Sequence, residues 1–378
     1  MIVPIIVLGF PEEGLEILKQ GRQLSEDLDD QKSLTRFLSN MGFFYTTRGK
    51  HEQGVAYSGR AFEEAEKTRD VRLMAQTSPD LCFSLMTAGR FARVIDIAGR
   101  IVKRIEDTGT QSEKFGGPAN IYNSLSCLSG YCKAVMGQWR EGLTLCKESL
   151  ERSSEMGDLT TAGLCGFYCG IILLMKGDAK SAIGYLEESV EHLEKAQFIQ
   201  PLAHSWSWLG FAHTLLGDPS KGLECSQRGL TLHRETGVTW NLASHLFILA
   251  WCRAASGDAE GARTTMEEAL AASRKNHEKY TEGKILLWMG SILGAPPFQN
   301  HQRAEDAIRD GIKILEAMMA APDVSTGRLF LGELYADMGR VDKAREYMKT
   351  AAAMFRDMEM NYWLDRAEKK LQDLGANG

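Results

Sequence analysis

The sequence predicts an all-α solenoid of antiparallel helix pairs with a period of about 40 residues. Three observations carry this. Turn glycines punctuate the chain at Gly9, Gly49, Gly89, Gly137, Gly177, Gly217, Gly257 and Gly339, with successive spacings of 40, 40, 48, 40, 40, 40 and 82. Five residues after them stand Gly14, Gly54, Val94, Gly142, Ala182, Gly222, Ala262 and Ala344, all small but one. Seven residues before them, from Gly49 onward, stand Gly42, Cys82, Gly130, Gly170, Gly210, Ala250 and Gly332. Paired helices approach closely only where side chains are small. A helical glycine costs up to about 1 kcal/mol against alanine, so one per repeat marks a packing constraint.

Taken in order, Gly9-Phe-Pro-Glu-Glu-Gly14 is the first turn, with Pro11 fitting the first turn of a helix that runs to about Leu28. Only eight residues precede Gly9, so Met1–Leu8 supplies about half a partner helix. The chain is expected to begin inside a repeat, leaving Leu15 and Leu18 without their usual cover. Helices follow near Gln31–Arg48, Glu52–Arg69, Val71–Ala88 and Phe91–Glu106, with a kink or late start expected from Pro79. Asp107–Ala119 reads as a loop carrying the eight extra residues of the 48-residue gap.

Regular pairs come next. Their first helices lie near Asn120–Met136, Thr160–Lys176, Pro201–Leu216 and Thr239–Ser256. Their second helices lie near Trp139–Met156, Ala179–Ala196, Pro219–Glu235 and Ala259–Asn276. In the Gly177-Asp178, Gly217-Asp218 and Gly257-Asp258 turns the aspartate is placed to cap the following helix. Lys279–Leu293 opens a repeat whose turn lacks glycine; its turn position falls near Gln299, and its second helix near Gln302–Ala320. The last pair lies near Asp323–Met338 and Val341–Asp357, and a closing helix spans 361–374. The whole chain, 1–378, reads as one solenoid of about eight repeats, each burying its face against its neighbours.

The stretch Trp206-x2-Leu209-Gly210-x2-His213, followed by Gly217 and Gly222, follows the tetratricopeptide order W-x2-L-G-x2-Y, with His213 where tyrosine is usual. Leu38-x2-Met41-Gly42-x2-Tyr45 is another copy. The standard unit has 34 residues, so a 40-residue period implies helices longer by roughly one turn between them. The expected fold is therefore a tetratricopeptide-like, right-handed superhelix. The run Ala353–Glu368, the Lys114-Phe-Gly-Gly-Pro118 insertion and the Pro296-Pro297 turn resemble the tetratricopeptide region at the C-terminus of bacterial signalling proteins. In those proteins a class III adenylate/guanylate cyclase domain and a P-loop ATPase module precede the repeats. The resemblance implies a regulatory region without catalysis of its own, and neither preceding domain lies in these residues.

Composition excludes little but points the same way. Charged residues make up 25% and the net charge is −6, with no basic domain of the kind nucleic acid requires. Met1–Phe10 is a poor signal peptide, and the longest apolar run, Ala162–Met175, is too short for a bilayer and broken by glycine. A cytoplasmic location is expected, with no nucleic-acid or membrane partner. The eight cysteines are expected to be reduced and buried. Cys165 and Cys169 lie one turn apart without a visible second pair, and His204 and His213 share one helix. No metal or cofactor site is assigned.

No G-x4-G-K-[ST], G-x-G-x-x-G, G-x-S-x-G or H-E-x-x-H occurs, so the chain is read as non-enzymatic. One constellation remains. Six residues before the turn glycines come Phe43, Phe83, Tyr131, Ile171, Phe211, Trp251 and Glu333. Phe43, Phe83, Tyr131, Phe211 and Trp251 are candidates for a partner-binding stripe along the concave groove; packing between neighbouring first helices is the competing reading. The expected function is a scaffold or regulatory module binding a protein or peptide, including other domains of its parent protein or a second copy in a homodimer. The alternative is a small-molecule or peptide sensor controlling an attached cyclase or ATPase effector.

Overall fold

A computed structural model describes residues 12–376. Among the described residues every regular element is a helix. In chain order they are α1 (Glu12–Asp27), α2 (Gln31–Thr47), α3 (His51–Thr68), α4 (Val71–Thr87), α5 (Phe91–Asp107), α6 (Ile121–Val135), α7 (Trp139–Glu155), α8 (Leu159–Lys176) and α9 (Ala179–Lys195). They continue with α10 (Ile199–Leu215), α11 (Pro219–Glu235), α12 (Leu242–Ala255), α13 (Ala259–Lys275), α14 (Lys279–Gly294), α15 (His301–Ala317), α16 (Ala321–Asp337), α17 (Val341–Asp357) and α18 (Asn361–Ala376). The Gly9 turn, Pro11 and the half-helix Met1–Leu8 lie outside the described residues.

The pairs form as the small columns require. A Cβ on Gly210 would stand 2.6 Å from the Gly222 carbonyl, and one on Gly130 2.5 Å from the Gly142 carbonyl. Backbone meets backbone there, so no side chain can yield. Ala182, at the position equivalent to Gly222 in the preceding repeat, is fully buried. The turns behave as read: Asp178, Asp218 and Asp258 accept from the backbone N–H of Ser181, Lys221 and Gly261 at 3.1, 3.0 and 2.9 Å. In the turn without glycine, Gln299 takes the left-handed conformation at φ 46°.

Four expectations are corrected. First, α4 runs from Val71 through Pro79 without a late start. Proline removes one helical N–H and so strands the carbonyl four residues back; the Ser78 hydroxyl donates to that Ala75 carbonyl at 3.1 Å. Second, Leu18 is buried, packed with Met41, Phe44 and Tyr45, and Leu15 is half-buried beside it. The apolar side chains left exposed on α1 and just past its end are instead Ile17, Leu24 and Leu28. Third, α12 begins at Leu242 rather than Thr239 because the connection before it is longer. Fourth, Cys165 and Cys169 are not isolated: Cys127 and Cys146 reach them in the core, and the Cys146 thiol donates to the Cys127 carbonyl at 3.3 Å. All eight cysteines are free and buried. Burial pushes the Cys127 and Cys132 thiols well up, so they stay protonated. Helix α8 is apolar and long enough to cross a membrane by composition, yet most of it is buried between α7, α9 and the neighbouring first helices.

The superhelix is wound tightly enough for successive coils to touch. Helix α16 packs on α6 and α18 on α8. Four of the turn glycines, Gly49, Gly89, Gly137 and Gly177, meet the opposite edge of the next coil. A Cβ on Gly49 would lie 2.9 Å from the Asn276 side chain, one on Gly89 2.8 Å from Met318, and one on Gly137 2.9 Å from Met358. Trp363 of α18 donates its indole N–H to the Met175 carbonyl at 3.2 Å. The concave face is therefore an interior rather than an open groove.

Candidate functional site

That interior retains a chamber of about 120 Å³. The first helices of five successive repeats, α6, α8, α10, α12 and α14, supply Tyr131, Tyr168, Trp208, Phe247 and Tyr280 to its wall. The other side is closed by Met86, Thr87 and Phe91 at the α4–α5 turn, where Phe91 meets Tyr280 edge-to-face at 5.1 Å. A smaller cavity of about 40 Å³ shares Trp208, Phe247 and Lys284 with it and ends on Trp288 and Trp363.

Polar side chains share this aromatic wall, among them Asn241, Ser244, Thr281, Glu278 and Lys284. Lys284 carries its ammonium over the Trp208 and Tyr280 rings at 5.1 and 5.4 Å, and its nearest carboxylate, Asp323, stands at 4.0 Å. Tyr280 donates its hydroxyl to Asp323 at 2.8 Å. Cation–π contact of this kind gains strength as water is removed. Glu278 is buried in the same wall; burial raises its carboxyl to about 7, against the Asn241 N–H and the Asn276 amide, which favour the charged form.

The connection between α11 and α12 shapes the chamber mouth. At its start Gly237 is left-handed, as is Gln197 forty residues earlier. The chain then runs on through Val238, Thr239 and Trp240 to a left-handed Asn241 before the helix begins. The freed backbone is satisfied at a distance. Trp240 N–H donates to the Thr47 carbonyl at 3.2 Å, and Asn241 N–H to Glu278 at 2.8 Å. This brings the Trp240 ring into the chamber wall, edge-on to Phe83 at 4.7 Å.

The stripe predicted from sequence divides in two. Tyr131 lines the chamber and Phe211 the smaller cavity. Phe43 stacks against Phe83 at 5.5 Å, and Trp251 packs on Phe211 at 6.1 Å and on Trp288 at 4.5 Å. Phe43, Phe83 and Trp251 line neither cavity. Two of the lining residues that sequence reasoning missed, Tyr168 and Trp208, stand three positions before Ile171 and Phe211 on the same helix face. The available signal was weak, because the column three positions earlier is aromatic only at Tyr168, Trp208 and Phe330. Nothing in the repeat pattern marked Trp240, Glu278 or Lys284.

Histidines 204, 233 and 245 gather beside the chamber. Their rings lie 4.4 to 6.0 Å apart, centroid to centroid. All three are buried, and His204 also lines the chamber. Burial pushes His204 down to about 3, His233 to about 4 and His245 well below its usual value, so all three are neutral at pH 7. His213, the sequence partner considered for His204, is not part of this group.

Tetratricopeptide-repeat models match residues 327–357 and 243–268. No curated protein matches the chain in sequence. Among solved structures, the Rap conjugation gene regulator of the plasmid pLS20 in complex with the Phr* peptide superposes with a TM-score of 0.63 at 13% identity, over 91% of this chain and 93% of that one. A Rap protein complexed with competence and sporulation factor gives 0.56 at 13% identity, over 91% and 98%. The apo quorum sensor NprR from B. thuringiensis gives 0.54 at 11% identity, over 93% and 96%. At such identities the likeness speaks to the fold, and with the two repeat matches it makes this chain a tetratricopeptide-type helical solenoid.

Proposed function

We propose that this chain is a ligand-sensing regulatory module that works by binding rather than catalysis. Its ligand is a small molecule, or one or two residues of a short peptide, with an apolar body and a polar group that reaches Lys284 or Asp323. The observation that carries this is the aromatic chamber inside the superhelix. A long open groove suits an extended partner, whereas a small concave chamber of aromatic rings with convergent polar groups suits a compact one. Solenoids of this shape include the Rap complexes with the Phr* peptide and with competence and sporulation factor, and the quorum sensor NprR. The chamber reaches across nearly a full coil, so an occupant would bias how the coils seat on one another. That is how binding would be passed to an effector, for which the sequence resemblance suggests a cyclase or ATPase domain of a parent protein in a bacterial cytoplasm.

A second reading, a protein-binding scaffold, rests on the apolar side chains Ile17 and Leu24 exposed on α1 and Leu28 just past its end. They offer a face to another domain of the parent protein or to a second copy.

Intrinsic tryptophan fluorescence of the full chain, titrated with small metabolites and short apolar peptides, tests the sensor reading. Saturable binding weakened tenfold or more by Lys284→Met and by Trp240→Ala, with melting temperature largely kept, is the expected result. Equal binding by both variants and the parent chain would remove the chamber from consideration.

A further inference from the structure

The three histidines come from three consecutive helices: His204 from α10, His233 from the last turn of α11 and His245 from α12. One nitrogen of each lies within 4.8 Å of the others. Buried polar atoms in folded proteins nearly always find a hydrogen bond. Here Nε2 of His204 and Nε2 of His245 have no partner among the described residues, and neither nitrogen of His233 makes a well-formed hydrogen bond, although the Val238 backbone stands near its ring. Three apolar side chains would fill this space without that cost. The three rings also gather in one place instead of scattering, with centroids 4.4 to 6.0 Å apart.

His245 shows a further sign of a built site. Its Nδ1 is paired with the Ser207 hydroxyl at 2.7 Å. When Nδ1–H donates to that oxygen, Nε2 carries the lone pair and is left to accept an ion. Metal-ligating imidazoles are typically held in this way by a second hydrogen bond on the far nitrogen. Ser207 sits between His204 and the chamber residue Trp208 on α10, so the holding group and one ligand share a helix.

We infer that His204, His233 and His245 form a site for a divalent transition-metal ion of the zinc class, held by three imidazole nitrogens. Such ions take imidazole nitrogens at about 2.0–2.1 Å, and tetrahedral ligands at that distance stand about 3.3 Å apart. The nitrogens would close in by small side-chain rotations. Three neutral imidazoles leave the fourth position to water or to a donor atom entering from the chamber wall at His204. The ion would satisfy three orphaned nitrogens at once and tie together α10, α11 and α12 at the place where the connection after α11 departs from the repeat. The site stands or falls independently of what occupies the chamber.

The test uses the full chain, stripped with a chelator and titrated with Co²⁺ alone. One equivalent should bind with the visible absorption of a four-coordinate ion and raise the melting temperature. His233→Leu should lose both effects, and His301→Ala should keep them. If His233→Leu fails to fold, His204→Gln and His245→Gln take its place, since each removes a donor nitrogen yet leaves a polar group. Zn K-edge X-ray absorption on the unaltered chain needs no variant. Three imidazole nitrogens at about 2.0–2.1 Å sustain the site. Fewer than three, no stoichiometric Co²⁺ binding, or unchanged binding in the histidine variants overturns it.

Discussion

Two connections forty residues apart begin alike and end differently. Between α9 and α10 the chain turns through a left-handed Gln197 and re-enters helix at Ile199. Between α11 and α12 it turns through a left-handed Gly237 and re-enters only at Leu242. In the first, Phe198 N–H returns to the Leu193 carbonyl, so the turn is closed locally. In the second, the backbone finds partners in Thr47 and Glu278, far away in sequence. The regular turn builds the solenoid. The irregular one builds the chamber, because it delivers Trp240 and Asn241 to the interior and binds one coil to another. Repetition specifies the frame, and departure from repetition specifies the site.

The comparison can be broken most severely at Trp288, the ring on which the regular first helices converge. It touches Phe211, Phe247, Trp251, Phe330 and Trp363. Trp288→Ala should destabilise the fold by about 3–5 kcal/mol in chemical denaturation. A loss under 1 kcal/mol would show that the ring ladder does not hold the coils together.

Gly210→Leu tests the regular pair itself. The backbone of Gly222 leaves no room, so a loss of about 1–3 kcal/mol is expected. An unchanged melting temperature would refute the close-approach reading of the small columns.

Glu278 sharpens the contrast through pH. Its carboxyl is raised to about 7 when folded, above the ordinary 4.5. The folded state therefore holds this proton more tightly than the unfolded chain. The resulting stability is full below about 4.5 and is lost as pH rises through 7. His51, buried where α3 meets the next coil beside Asn276, runs the other way. Burial lowers it to about 4, so its share is present above 6.5 and lost as pH falls toward 4. Urea unfolding of the parent chain and Glu278→Gln at pH 5 and pH 8 isolates the carboxylate. The variant should gain on the parent at the higher pH, and a difference independent of pH would contradict the buried assignment.

The smallest effect belongs to a local cap. Asp218→Ala should cost about 1 kcal/mol by removing the acceptor for Lys221 N–H. Asp178 and Asp258 should respond alike, because the three turns share one geometry.

Much of the frame was legible in the residues. Helix ends at Gly177, Gly217 and Gly257, the aspartate caps after them, and even the position of the turn at Gln299 follow from local backbone preferences. Such preferences act within a few residues, so a single sequence displays them. The start of α12 was misplaced because Asn241 leaves the helix for partners at Glu278, which only folding brings near. Pro79 misled in the same way, since Ser78 repairs locally what proline usually breaks.

By itself the sequence determined the helix pairs, their period and the columns where backbones touch, because each depends on neighbours along the chain or one repeat away. Only the tertiary structure decided how tightly the coils wind, and that decided everything about the interior. Coil-to-coil contacts such as Gly49 with Asn276 and Phe91 with Tyr280 join residues roughly two hundred positions apart. They depend on the sum of small rotations from every repeat between them. No local pattern encodes that sum. It turned a groove into a chamber, placed two of the five stripe residues on cavity walls, and drew His204, His233 and His245 together.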